Sequence, residues 1–81
     1  MTRADKFLER MRNNPRDWSI EDLKVLAARH GIEWRQPGTS HVTFSHAGVA
    51  PLTVPAHKPI KPVYVSRFVA MIDNLRSRDD D

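Results

Sequence analysis

Apolar and polar positions along this chain follow two periods, and the switch between them marks its organisation. Ala4, Phe7, Leu8 and Met11 recur at the three- and four-residue steps of one helix face. Thr2 followed by Asp5 has the form of a cap for that helix. Asn13-Asn14-Pro15 ends it, because the residue before a proline avoids helical geometry. A second helix is signalled by Ser19 with Asp22 three residues on, a capping box. Trp18 and Leu23 occupy the two positions of a hydrophobic staple. Ile20, Leu23, Leu26 and Ala27 form its apolar face, and Gly31 after Arg29-His30 stops it.

The period then falls to two. Ile32 and Trp34 alternate with Glu33 and Arg35, and Pro37-Gly38 turns the chain. Val42 and Phe44 alternate with His41, Thr43 and Ser45, and Ala47-Gly48 turns it again. Leu52 and Val54 flank Thr53 before Pro55 closes the strand. Helical spacing returns after Pro62, where Tyr64, Val65, Phe68, Met71, Ile72 and Leu75 share a face. The predicted order is helix, helix, three strands, helix. This is an α+β domain with a small antiparallel meander and helices packed on one sheet face. Val42, Phe44, Leu52 and Val54 then point to the covered side, and His41, Thr43 and Ser45 to the open side. Trp18 and Trp34 read as core or staple residues rather than platforms for stacked bases.

Composition narrows the class. With 81 residues and 40% apolar content the chain is one small folding unit with a modest core. Cysteine is absent, which removes disulfides, thiolate nucleophiles and cysteine zinc sites. No apolar leader core and no run long enough to span a bilayer occurs, so a soluble cytoplasmic protein is expected. The formal charge of +3 doubles when Asp79, Asp80 and Asp81 are left out. More telling, no Asp or Glu occurs from Trp34 to Ile72, a stretch that holds Arg35, Lys58, Lys61 and Arg67 with His41, His46 and His57. Such a segment suits a polyanion, although a solvated surface that merely lacks acids has the same pattern.

Within that segment the chemistry is restricted. Two-metal hydrolysis needs carboxylates, and none is there. His41 and His46 are five residues apart, on opposite faces of a strand, which disfavours a shared metal, and no cofactor is expected. A histidine can still move a proton near neutrality. RNA brings its own nucleophile, the 2′-hydroxyl, so a histidine with basic neighbours and backbone amides from a glycine turn could assist cleavage. DNA lacks that hydroxyl. Spacing alone leaves His41 open between a proton-transfer residue and an exposed strand residue. His57 fits a backbone contact at a turn as well as an RNA contact, and "KPIKP" fits a stiff connector. Ser40 has no visible acid to complete a nucleophilic set.

The run "RHGIEWRQPGTSHVTFSHAGVAPLTVPAHKPIKPVYVSRFVAMID" resembles the HicA toxins of bacterial type II toxin–antitoxin pairs. The matching elements, in order, are Gly31, Arg35, the turn Gly38-Thr39-Ser40-His41, Val54-Pro55-Ala56-His57, and Lys58 with Lys61. They lie within roughly Ile20 to Leu75. The resemblance implies a fold like double-stranded-RNA-binding domains and a ribosome-independent mRNA interferase, an endoribonuclease that blocks translation. It makes His41 the essential histidine, and an adjacent HicB-type antitoxin the protein partner. Gly38, Thr39 and Ser40 would hold phosphate, and Arg35, His57, Lys58 and Lys61 would contact RNA. Two features depart from the family pattern: the first helix, Thr2 to about Arg12, is extra and could pack on the core or contact a partner, and Thr39 precedes Ser40 where many members have a single small residue. The expected organisation is a helical extension at 1–17, a HicA-like domain at 18–76 and an acidic disordered tail at 77–81. A non-catalytic RNA-binding module on the same fold is the rival, and it gives His41 no role.

Overall fold

Capping and turn chemistry set most boundaries of the six elements: α1 (Arg3–Asn13), α2 (Ile20–Arg29), β1 (Glu33–Arg35), β2 (His41–His46), β3 (Val49–Pro55) and α3 (Pro62–Asp79). They are seen in a computed structural model that describes residues 3–38 and 40–79. Thr2, expected as a cap, Thr39, expected to hold phosphate, and the tail residues Asp80 and Asp81 lie outside the described residues. The predicted α+β class and element order both hold.

The capping box of α2 forms as the residues require. The Ser19 Oγ accepts from the Asp22 amide at 3.2 Å, and the Ser19 amide donates to the Asp22 carboxylate at 2.9 Å. At the other end Gly31 takes φ +71, a region open to glycine, so that the Ile32 amide turns back to the Ala27 carbonyl at 2.8 Å. That closure drops Ile32 into the core and aims the chain into β1.

The strands form a meander in the order β1-β2-β3, both pairs antiparallel. Trp34 pairs with Phe44, and Phe44 with Leu52; Val42 pairs with Val54. Opposed residues share a face, so these five form the covered side. Arg35, Thr43 and Thr53 form a row on the open side. Val42, Phe44 and Val54 are fully buried, whereas Leu52 is half-buried at the core margin. β3 begins at Val49, earlier than the expected Leu52, because Ala47-Gly48 is a two-residue hairpin with Gly48 at φ +82. Pro51 is tolerated inside it because β3 is an edge strand.

α2 packs against β1, α3 against β3, and α1 against both other helices. The Phe44 and Phe68 rings meet at 4.9 Å and 57°, a tilted pair that fixes α3 on the sheet centre. Leu8 and Met11 of α1 are fully buried in the same cluster as Phe44 and Phe68, so of the two roles open to the extra helix, packing on the core is the one seen. Two expectations are revised here. α3 runs on through Ser77 to Asp79, residues expected in the tail, because no glycine or proline follows Pro62 to stop it. Trp34 is 37% exposed, since β1 is an edge strand of three residues that α2 only partly covers. Among the described residues no helix is long and apolar enough to cross a membrane.

Candidate functional site

The start of β2 and the end of β3 lie side by side, and their pairing assembles most of the expected site. His41 opposes Pro55, and one step beyond the paired strands the Ala56 amide donates to the Ser40 carbonyl at 2.8 Å. Ser40 and His41 from one segment therefore meet Ala56 and His57 from the other. Ser40, His41, His57 and Lys58 are all exposed, while Ala56 packs against the core margin. The alternation of β3 thus carries through Ala56, with Val54 and Ala56 turned to the core and Pro55 to the open face.

Arg35 joins this group from β1. It opposes Thr43, two residues along from His41, which puts it about 7 Å along the sheet. Thr43 and Thr53 share a hydroxyl hydrogen bond of 3.0 Å beside it. The turn that carries Gly38 is held from below, where the Lys24 ammonium donates to the Gln36 side chain at 2.7 Å. Gly38 has open space where a Cβ would sit, so packing within the chain does not require glycine there.

Lys58 and Lys61 are placed by the residue between them. Ile60 is 1% exposed, and its amide donates to the Trp18 carbonyl at 2.8 Å. This pins the middle of "KPIKP" to the α1–α2 junction and leaves both lysines exposed. Lys61 sits at the start of α3, its carbonyl accepting from the Tyr64 amide at 2.9 Å, so it belongs to that helix end more than to the strand ends.

Among the described residues the ion pairs lie on helices, Arg12 with Glu9 and Asp73 and Lys24 with Glu21, and none involves Arg35, Lys58 or Lys61. Those three cations therefore face solvent uncompensated by a paired carboxylate. Nor do three His, Asp or Glu side chains come together there in a way that could hold a metal ion.

One side chain on this face was not anticipated. Glu33 opposes Ser45, and by alternation it shares the open face with Arg35. The acid-free stretch starts one residue after it, and the alternation of Glu33 and Arg35 with Ile32 and Trp34 already carried the signal that it shares Arg35's face. Glu33, Ser45, His46, Ala47 and Gly31 line a depression of about 460 Å³. It lies at the far end of β2 from His41, and His46 there contacts the Ala47 carbonyl at 3.0 Å. A polynucleotide backbone needs an exposed charged surface rather than this cavity, so the strand ends near His41 remain the stronger candidate.

Comparison with protein-family models, curated proteins and solved structures finds no match for this chain.

Proposed function

We propose that this chain is a metal-independent endoribonuclease that cleaves mRNA, a toxin of the HicA kind neutralised by a HicB-type antitoxin. The observation that carries the reading is the exposed His41 beside Ser40, His57 and Lys58, on a strand end with Arg35 nearby and no carboxylate among them. Arg35, Lys58 and Lys61 draw in the RNA backbone. The backbone amides of the turn around Gly38 to Ser40, with the Ser40 hydroxyl, hold the phosphate. His41 transfers the proton that lets the 2′-oxygen attack phosphorus as the bond to the 5′-oxygen breaks. The products are a 2′,3′-cyclic phosphate and a 5′-hydroxyl.

Purified protein and end-labelled RNA in EDTA test this. Wild type should cut, with cyclic phosphate ends, and His41→Ala should be slower by about 100-fold or more while keeping its circular dichroism and RNA binding. Equal cutting by both proteins would remove His41 from the chemistry.

One observation favours a second reading. Among the described residues no hydrogen bond holds the His41 ring, and a proton-transfer histidine is commonly oriented by one. A non-catalytic RNA-binding module on this fold needs no such bond. Binding of duplex RNA with single strands left intact in EDTA would support it.

A further inference from the structure

We infer that His57 is a second proton-transfer residue, forming an acid–base pair with His41 across one phosphodiester. The inference rests on the endoribonuclease reading and adds the residue that reading leaves without a chemical role.

The strand register carries it. His41 opposes Pro55, and Ser40 is bonded to Ala56, so the ladder continues past the end of β3 without a slip. Ala56 packs against the core while His57, the next residue, is exposed. Carried one step past Ala56, the alternation would put His57 on the face that carries His41, two residues along from His41's partner Pro55. Diagonal neighbours of this kind are about 7 to 8 Å apart. That is the spacing of their backbones, and imidazoles rooted so close can converge on the two reacting oxygens of one phosphodiester, each needing to come within about 3 Å. No Asp or Glu lies between Trp34 and Ile72 to take either role, and neither ring holds a hydrogen bond to another described group.

The step balances with two imidazoles and needs nothing else. The neutral ring accepts the 2′-hydroxyl proton as the 2′-oxygen bonds to phosphorus. The bond from phosphorus to the 5′-oxygen breaks, and the protonated ring gives its proton to that oxygen. One ring ends protonated and the other neutral, with a 2′,3′-cyclic phosphate and a 5′-hydroxyl released.

A leaving-group substitution separates the two roles. An oligonucleotide with a single ribose, at a linkage that wild type cuts, is made with either oxygen or sulfur at the 5′-bridging position. A thiolate leaves without being protonated, so loss of the acid no longer matters. On the oxygen substrate His57→Ala and His41→Ala should each lose about 100-fold or more. On the sulfur substrate one of them should return to near the wild-type rate and the other should stay slow. His57→Gln, which keeps a polar side chain of similar reach, should behave as His57→Ala does. If neither variant recovers, or if His57→Ala loses only binding to a 2′-O-methyl RNA, the pair is overturned while the endoribonuclease reading stands. If wild type cuts no RNA, both fall together.

Discussion

Truncating Leu8 asks whether α1 is part of the folded unit or an addition to it. Leu8 is fully buried, as are Met11 beside it and the Phe44–Phe68 pair in the same cluster. Leu8→Ala removes three carbons from a site the surrounding helices cannot easily refill, which costs about 2 to 5 kcal/mol. A chain of 81 residues holds roughly 4 to 12 kcal/mol in total. The substitution therefore takes between a sixth and all of the stability. Urea titration should show the midpoint falling by about 2 M, for a loss near 3 kcal/mol and a slope near 1.5 kcal/mol/M. The two tryptophans localise the effect. The Trp18 ring meets Phe7 of α1 in a tilted pair at 5.3 Å, whereas Trp34 lies on β1. Trp34→Phe leaves the first as the fluorescent probe and Trp18→Phe the second. If α1 is integral, both probes and far-ultraviolet circular dichroism give one transition, and Leu8→Ala moves it as a whole. A Trp18 transition at lower urea than that of Trp34, or a loss under about 0.5 kcal/mol, would refute the reasoning.

Two further outcomes bear on the site. Gly38→Ala should leave the urea midpoint almost unchanged, because an added Cβ meets nothing within 4 Å, yet it should slow RNA cleavage if phosphate approaches the backbone there; wild-type cleavage rates would exclude that approach. Arg35→Ala and Lys58→Ala, each an exposed cation with no ion pair among the described residues, should weaken RNA binding across sequences and reduce the slope of log affinity against log salt by about 0.7 each for a single strand; unchanged slopes would take those residues out of the interface.

What the sequence made legible, and what it hid, divides by range. Ser19 with Asp22, and Gly31 after His30, are local devices, and both stand in the structure where their spacing puts them. The faces of β2 follow from a period of two, so Val42 and Phe44 are buried and His41 is exposed. Periodicity names a face without naming what packs on it. Nothing in Leu8 and Met11 says that their partner is a core built largely from residues after Ile20. Ile60 is harder still: one apolar residue between Lys-Pro pairs looks like part of a connector, and only the tertiary fold buries it and bonds its amide to the Trp18 carbonyl. Trp34 misled in the opposite sense, because a large apolar residue on the covered face of an edge strand can stay partly in water.

The candidate site is legible only in part, since it depends on strand register, and a shift between Phe44 and His46 moves the pairing one step from the one the Ala47-Gly48 turn alone would set. Past that shift, the pairing of Val42 with Val54 obliges His41 to meet Pro55 and Ser40 to meet Ala56. What register does not settle is whether the field at that end favours a polyanion, because Glu33 shares the open face. Distance decides it. Glu33 opposes Ser45, four residues from His41, or about 14 Å along the strand. That exceeds the screening length of about 8 Å in physiological salt. Arg35, a diagonal neighbour of His41 at about 7 to 8 Å, lies at about that length, as Glu33 does from Arg35 on the same face, and Lys58 follows His57 directly. The acid at one end of the sheet is therefore largely screened from the histidine at the other. On the RNA reading proposed above, the cations a phosphate chain would meet at the histidine end are Lys58 beside His57 and, one strand over, Arg35.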